Sequence, residues 1–154
     1  MELAEKLKEI REVIETSETV YLSTIDKNGY PSTRAMLNLR NKKQYPHLVQ
    51  MYEKESNEFT IYLTTNTSSA KIQEIENNSK AAVYFCNPES FTGIMLQGNI
   101  EVVTNKEFKH SAWMKGWELY YSGGVDSEDF SMLRFVPFNF KTYSDFQVKT
   151  DNID

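Results

Sequence analysis

A chain of 154 residues is the length of one domain, and its formal net charge of −5 with no basic run argues against nucleic acid or an anionic membrane as main partner. The single cysteine, Cys86, allows no internal disulfide, and no apolar run reaches the roughly 18 residues of a membrane span. The N-terminus is charged and has no signal-peptide core. We therefore expect one domain over residues 1–154, soluble and cytoplasmic.

The first elements are a helix and a hairpin. Leu3, Leu7, Ile10 and Ile14 recur at spacings of four, three and four, which predicts a helix over residues 2–16. "TVYLSTI" and "YPSTRAMLNL" are typical of strands, and "DKNG" between them is a hairpin turn signal, with Asn28-Gly29 suited to positive φ. Pro31 is tolerated at an edge or at the first position of a strand.

The rest of the chain alternates strands with short helices in no regular order. An irregular segment with a short helix near Leu48–Tyr52 follows the hairpin. We then expect the strands "EFTIYLTT", "KAAVYFC", "GIMLQGNIEVVT" with a bulge at Gly98, and "SMLRFVPFNFKTYSDFQV", which is one strand or a pair. Helices are expected at Ser69–Asn77 and in "NKEFKHSAWMKGW", where Asn105 is the cap. This order predicts an α+β, mainly β fold. A barrel is favoured because closure removes exposed strand edges.

The stretch "TTNTSSAK" places hydroxyls and a lysine between a strand and a helix. A helix start leaves backbone N–H groups unpaired at the positive end of the helix dipole, so an anion is favoured there. Thr67, Ser68 and Ser69 add hydroxyl donors, and Lys71 adds a positive charge. These residues are compatible with a phosphate site and with an ordinary N-cap beside a solvated lysine, and the second is the more frequent arrangement.

The stretch "GYPSTRAM" contains Arg34, one of only four arginines in the chain. Arg34 lies inside a predicted strand between Thr33 and Ala35. An arginine at such a position either pairs with a carboxylate or faces a binding site, and the residues alone leave both possibilities open.

Taken together, the two stretches resemble the FMN-binding split β-barrel of the pyridoxamine 5′-phosphate oxidase superfamily. Within it, the chain is most similar to the small bacterial general-stress and oxidase-related proteins, through "LQGNIEVV" and the tail "SAWMKGWELYYSGGVDSEDFSMLRFVPFNFKTYS". The resemblance implies a split β-barrel with peripheral helices, and a homodimer that holds FMN between its subunits. Carried over by position, the cofactor-binding residues are Arg34, Ala35 and Met36 along the flavin, Thr64 and Thr65 beside the ribityl phosphate, and Ser69 and Lys71 on the phosphate.

Several positions depart from the pattern of the oxidase itself. Ala70 stands where the oxidase has a phosphate-binding arginine, a loss for which Ser68 and Ser69 could compensate. Gly93 replaces a flavin-contacting glutamine, Leu39 replaces a substrate-binding lysine, and the C-terminal arginine–histidine motif has no match. The resemblance thus implies an FMN protein that does not make pyridoxal phosphate.

Other residues give weaker signals. His47 and His110 lie far apart without paired cysteines, so we expect no metal site. Cys86 is typical of a small buried residue. Trp113 and Trp117 fall on one face of a predicted helix, where packing is favoured over flavin stacking.

The function that these features indicate is an FMN-dependent oxidoreductase acting on an unidentified small molecule, with no side chain that we can name as catalytic. Two alternatives stay open: a non-catalytic flavin protein for storage, sensing or stress response, and a split barrel that binds heme through His47 or His110. We also expect a homodimer, because "GIMLQGNIEVV" and "MLRFVPFNF" carry apolar residues on both faces of their strands. The segment from Phe138 to Tyr143 is the part expected to reach the second chain's site.

Overall fold

Residues 2–144 and 147–153 are described by a computed structural model, in which four α-helices surround a seven-stranded sheet. The helices are α1 (Glu2–Thr16), α2 (Val49–Glu53), α3 (Ala70–Asn77) and α4 (Lys106–Ala112). The strands are β1 (Thr19–Ile25), β2 (Pro31–Leu37), β3 (Ile61–Asn66), β4 (Lys80–Asn87), β5 (Thr92–Val103), β6 (Phe130–Ser144) and β7 (Gln147–Asn152). Short 3₁₀ turns occupy Pro46–Leu48, Trp117–Leu119 and Gly124–Asp126.

Every strand pair in the described sheet is antiparallel, in the order β2-β1-β4-β5-β6-β3. The long strand β6 pairs with β5 along one edge, while its other edge carries β3 along the first half and β7 along the second. The sheet curls until its two end strands, β2 and β3, come into contact. With about 41% strand and 28% helix, the fold is α+β and mainly β, so the predicted split barrel with peripheral helices is confirmed.

The predicted bulge at Gly98 is present where β5 crosses β6. The register shifts between Gln97 and Gly98, and Phe138 is the residue of β6 that has no partner on β5. A Cβ atom on Gly98 would lie 2.2 Å from the carbonyl oxygen of Val136, so only glycine fits this crossing. A bulge bends the strand that carries it. Strand β6 pairs with β3 before the bulge and with β7 after it.

Two apolar cores lie on opposite faces of the barrel wall. The first fills the barrel under α1 and α3 and contains Leu63 and Phe135. The second lies outside β3 and β6 under α2, α4 and the Trp117–Leu119 turn, and contains Tyr62 and Met132. Both faces of β3 and of the first half of β6 are therefore covered by the chain itself. The apolar residues of "MLRF" thus need no second subunit, contrary to the reasoning from sequence.

Several details of the sequence predictions were wrong. Strand β2 ends at Leu37 rather than Leu39. Strand β3 begins at Ile61 rather than Glu58, because the side-chain and carbonyl oxygens of Asn57 accept from the backbone N–H groups of Phe59 and Thr60 in a turn. Only Gly29 of the Asn28-Gly29 pair has positive φ. Helix α3 begins at Ala70, with Ser69 as its N-cap.

Helix α4 is correctly capped by Asn105, but it ends at Ala112. Trp113 turns to an extended ψ of 135°, and Gly116 adopts a left-handed φ of 108° that favours glycine. The two tryptophans therefore do not share a helix face. Their predicted role in packing is confirmed, since their rings meet edge to face at 5.7 Å and Trp117 is buried in the second core.

Within the described residues, no helix combines the length and apolarity needed to cross a membrane.

Candidate functional site

The centre of the candidate site is the ammonium group of Lys71, in the first turn of α3. Its Nζ atom donates to Thr65 Oγ1 at 2.8 Å and to Ser69 Oγ at 2.7 Å. Ser69 also caps the helix by accepting from the Lys71 backbone N–H at 3.4 Å. The ordinary N-cap is thus present. The lysine, however, is half-buried: it is folded back over the end of β3, where it donates to Thr65 and to Ser69, one of the three predicted hydroxyls.

Arg34 reaches the same place from β2. Its Nη1 donates to Thr24 Oγ1 at 2.7 Å and its Nη2 to Ser32 Oγ at 3.2 Å. Its Nη2 also lies 3.6 Å from a carboxylate oxygen of Glu74 in α3. Of the two possibilities left open by the sequence, pairing with a carboxylate is the one observed. This ion pair fixes Arg34 beside the helix that carries Lys71.

The two cations influence each other. Burial lowers the pKa of Lys71, the positive charge of Arg34 lowers it further, and Glu74 opposes both effects. Burial likewise lowers the pKa of Arg34, against the attraction of Glu74. Because Glu74 pairs with Arg34, the two cations and this carboxylate leave the cluster with one net positive charge, which favours an anion that accepts hydrogen bonds from several donors.

Ser68 points away from this cluster, toward Asp129. Asp129 accepts from the Ser68 backbone N–H at 2.8 Å and from Asn66 Nδ2 at 2.7 Å. Donation by Ser68, through backbone and hydroxyl, and by Asn66 holds the pKa of the Asp129 carboxyl below its ordinary value. Thr67 is tied to the same strand, because its hydroxyl lies 2.6 Å from Ser131 Oγ. Asp129 therefore fastens the loop that precedes α3.

Thr64 and Thr65 lie on opposite faces of β3, as neighbouring strand residues must. Thr65 faces Lys71, whereas Thr64 is buried next to the Tyr121 hydroxyl on the side of the second core. The structure therefore brings four of the eight predicted residues together: Arg34, Thr65, Ser69 and Lys71.

Ala35 and Met36 lie on the strand that carries Arg34. Met36 packs against the first core, and the Ala35 side chain is exposed on the outer face of the sheet. The Asp26 N–H donates to the Tyr30 carbonyl at 2.8 Å, and bonded pairs alternate along an antiparallel ladder. The peptide groups of Thr33, Ala35 and Leu37 accordingly point away from β1. Because β2 is the last strand in the order, these groups lie on an open edge.

A phosphate monoester fits the donors of this cluster. Two fixed cations, two hydroxyls and the start of an eight-residue helix supply charge and hydrogen bonds. The open edge of β2 presents N–H and C=O groups that a planar polar ring can bind. The phosphate and the flavin ring of FMN would therefore each find suitable groups on this chain.

The sequence analysis missed Thr24, Glu74 and Asp129. Glu74 follows Lys71 by three residues on a helix, which places them on one face, and Thr24 lies opposite Ser32 across the hairpin. Both could have been inferred from the predicted elements. Asp129 lies more than 60 positions beyond the loop that it binds, and no local pattern points to it.

The weaker sequence candidates lie elsewhere. His47 Nε2 lies 3.2 Å from the Ala112 carbonyl oxygen, and His110 Nε2 lies 2.7 Å from an Asp126 carboxylate oxygen. Cys86 is half-buried on the outer face of β4. At Gly93, a Cβ atom would lie 2.1 Å from the hydroxyl oxygen of Tyr84, so the tyrosine side chain occupies the space above this glycine.

Residues 7–144 match the sequence profile described as pyridoxamine 5′-phosphate oxidase. The chain belongs to this family. A protein of the pyridoxinephosphate oxidase family from Clostridium acetobutylicum, related to general stress protein 26 of B. subtilis, is 31% identical over 97% of this chain and 96% of its own, with a TM-score of 0.80. No curated protein matches the sequence at a significant level.

More distant members of the pyridoxamine 5′-phosphate oxidase fold share only the architecture. An oxidase-related, FMN-binding protein from Nostoc punctiforme is 13% identical, with a TM-score of 0.56 over 99% of this chain and 95% of its own. A heme-binding protein from Mycobacterium smegmatis is 12% identical, with a TM-score of 0.65 over 94% of this chain and 56% of its own. Proteins with this fold therefore bind more than one cofactor.

Proposed function

We propose that this protein binds FMN and acts as an oxidoreductase on a small molecule. One observation carries the proposal: Lys71, Ser69, Thr65 and Arg34 converge at the start of α3, next to the open edge of β2. In this arrangement Lys71 and Ser69 bind the phosphate, Arg34 lies beside it, and the peptide groups of β2 orient the ring. Bound FMN supplies the hydride or electron chemistry, and the protein supplies position and electrostatics.

The absorption spectrum of the purified protein tests the cofactor. We expect the absorbance of an oxidised flavin, and extraction followed by mass spectrometry should identify FMN. A Soret band would favour the heme alternative instead. A colourless protein that takes up no FMN on titration contradicts the proposal.

Anaerobic addition of NADH or NADPH tests the oxidoreductase function. If the protein is an enzyme, one of these donors bleaches the bound flavin, and an added electron acceptor restores its colour over many cycles. A protein that holds FMN through repeated exposure to donors and acceptors without any bleaching is a flavin carrier or sensor.

The substrate differs from that of the family's namesake. Leu39, at the position of the oxidase's substrate-binding lysine, is 1% exposed and packs in the second core, so it provides no cation for a substrate phosphate. We expect no steady turnover of pyridoxamine 5′-phosphate by the FMN-loaded protein. Robust turnover would contradict this inference.

We also propose a homodimer whose outer sheet faces meet, so that both chains build the flavin site. The ladder aligns Ala35, Tyr21, Tyr84 and Met95 in one row across β2, β1, β4 and β5, with Tyr143 on the same face of β6. Tyr21, Tyr84 and Tyr143 are 38%, 42% and 36% exposed. Tyr21 and Tyr84 in this row and Tyr143 in the next row form an apolar surface. This surface continues up to Ala35, at the candidate site.

A further inference from the structure

The outward-facing row of Ala35, Tyr21, Tyr84 and Met95 continues onto β6 at Lys141, which pairs with Met95. Lys141 is exposed, and among the described residues it makes no ion pair. The rows on either side carry no carboxylate: they hold Thr33, Ser23, Ala82, Gln97 and Asn139 on one side, and Leu37, Thr19, Cys86, Gly93 and Tyr143 on the other. Across these three rows, from β2 to β6, Lys141 is thus the one charged residue of the proposed dimer face.

The charge of Lys141 limits how two such faces can meet. A dimer that joins them has a two-fold axis between the sheets, and two orientations of this axis superpose the row on its own copy. An axis along the row places each strand over its own copy and brings the two Lys141 ammonium groups together, where like charges repel. An axis along β4, the middle strand of the five, reverses the strand order, so that β6 of one chain lies over β2 of the other. The repulsion therefore favours the axis along β4.

This axis gives the row three kinds of facing pair. Tyr84 faces the partner subunit's Tyr84, Tyr21 faces the partner subunit's Met95, and Ala35 faces the partner subunit's Lys141. A thioether packs well against an aromatic ring, and the small Ala35 leaves room for the four-carbon stem of a lysine. Packed sheets lie about 10 Å apart with their strands within about 30° of each other. The partner subunit's Lys141 is thereby brought to the Ala35 end of the row, beside the open edge of β2.

A lysine enclosed at this place needs a hydrogen-bond acceptor that carries or attracts negative charge, because a buried charge without a partner is costly. The three rows offer it no carboxylate. The cations of its neighbour chain's site, Lys71 and Arg34, lie at the phosphate position, so the ring along β2 meets only peptide groups of its own chain. The carbonyl oxygens of a flavin ring are acceptors that have no cation there.

We propose that Lys141 of each subunit completes the flavin site of the other by donating to carbonyl oxygens of the ring that lies along β2. Lys141 belongs to the segment from Phe138 to Tyr143 that the sequence analysis expected to reach the second chain's site. The inference rests on the proposed function and names the side chain that the second subunit contributes.

Lys141→Met tests the inference, because it removes the charge and keeps a long unbranched side chain. We expect the affinities for FMN and riboflavin to fall by the same factor, about tenfold or more, since both ligands carry the same ring. Light scattering should give the same mass for the variant as for the wild type. Lys43→Met, at an exposed lysine in the chain after β2, should change none of these quantities.

Three results of this comparison overturn the inference: flavin affinity in Lys141→Met equal to that of the wild type, a loss confined to FMN, and dissociation of the variant into single chains. The first would mean that Lys141 does not contact the flavin. The second would place the lysine at the phosphate, and the third would mean that it holds the dimer together.

A mixed dimer shows whether Lys141 acts on the site of the other chain. When one Lys71→Ala chain is joined to one Lys141→Met chain, a shared site leaves one site with both lysines and one site with neither. We expect each mixed dimer to bind one FMN with wild-type affinity, although each variant alone binds FMN weakly. If Lys141 acts within its own chain, every site lacks one lysine and no tight site forms, which overturns the inference.

The wild-type protein separates this inference from the proposed function. A wild type that binds no flavin contradicts the proposed function and the inference with it. A wild-type dimer that binds flavin no more tightly than Lys141→Met contradicts the role of Lys141 alone and leaves the proposed function standing.

Discussion

The ammonium group of Lys71 lies 2.8 Å from the hydroxyl of Thr65, six residues earlier in the chain and at the end of the preceding strand. This contact joins the start of α3 to the end of β3. It also keeps the ammonium group of Lys71 half-buried beside the N-cap of the helix. A phosphate bound here would interact with Lys71 directly, whereas the ring of a flavin would lie farther along β2.

Substitution of Lys71 distinguishes the contribution of the phosphate to FMN binding from the contribution of the flavin ring. Lys71→Ala should weaken FMN binding about ten- to a hundredfold, because a charge-assisted hydrogen bond contributes about 1.5–3 kcal/mol, and should change riboflavin binding much less. Fluorescence titration with both ligands measures the difference. Lys80→Ala, at an exposed lysine that opens β4, is the matched control. Equal losses for the two ligands would mean that Lys71 acts through the fold.

Removing the charge of Glu74 should destabilise the protein. Glu74→Gln leaves the half-buried Arg34 without its ionic partner, and we expect the free energy of unfolding to fall by about 1–2 kcal/mol, between the values for exposed and buried pairs. Urea unfolding measures this change. Glu9→Gln, in the exposed pair with Lys6, should cost under about 0.5 kcal/mol. Similar losses in the two variants would contradict the expected role of Glu74.

The hydrogen bonds of Asp129 predict that the stability of the folded protein depends on pH. Because its pKa is lowered in the folded protein, the ionised carboxylate stabilises the loop at neutral pH, and this stabilisation is lost as the pH falls from about 4 through the folded pKa. Asp129→Asn should lower the melting temperature at pH 7, and its difference from the wild type should shrink as the pH falls toward 3. Glu128→Gln, at the adjacent exposed carboxylate, serves as control. A difference that is constant with pH would exclude this role for Asp129.

Substitution by alanine should lower the free energy of unfolding by different amounts at two glycines of β5. Gly98→Ala forces a Cβ atom against the backbone of Val136 and Pro137, and we expect a loss of about 2–3 kcal/mol in the free energy of unfolding. Gly93→Ala meets only the end of the Tyr84 side chain, which is able to rotate away, so its cost should be under about 1 kcal/mol. Denaturant unfolding compares them, and the reverse order would contradict the close crossing of β5 and β6.

The proposed dimer predicts a mass of about twice 18.0 kDa in light scattering. Tyr84→Asp puts a charge into the outer aromatic row and should shift the protein toward the monomer, with release of FMN because half of the site is then missing. Tyr120→Asp changes a tyrosine outside that row, 58% exposed against 42% for Tyr84, and should leave the mass unchanged. A wild-type monomer that retains FMN would contradict both the dimer and the shared site.

Local periodicity and turn chemistry were enough to predict most elements of this fold. The spacing of Leu7, Ile10 and Ile14 predicted α1, the glycine at position 29 predicted the first hairpin, and Gly98 predicted the bulge. These features depend on interactions between near neighbours, which the sequence displays directly. The start of β3 was misjudged because a backbone turn at Asn57 overrode the apolar pattern, and the end of α4 because the backbone becomes extended at Trp113.

Part of the composition of the site likewise followed from the sequence, but its geometry did not. Hydroxyls and a lysine at a strand–helix junction indicated an anion, and Arg34 stood out by its position. Only the tertiary structure showed that Arg34 pairs with Glu74 and that Asp129 rather than an anion binds the Ser68 N–H. Such contacts join residues far apart in the chain, and the folding of β2, α2 and β6 around the two cores decides which side chains meet.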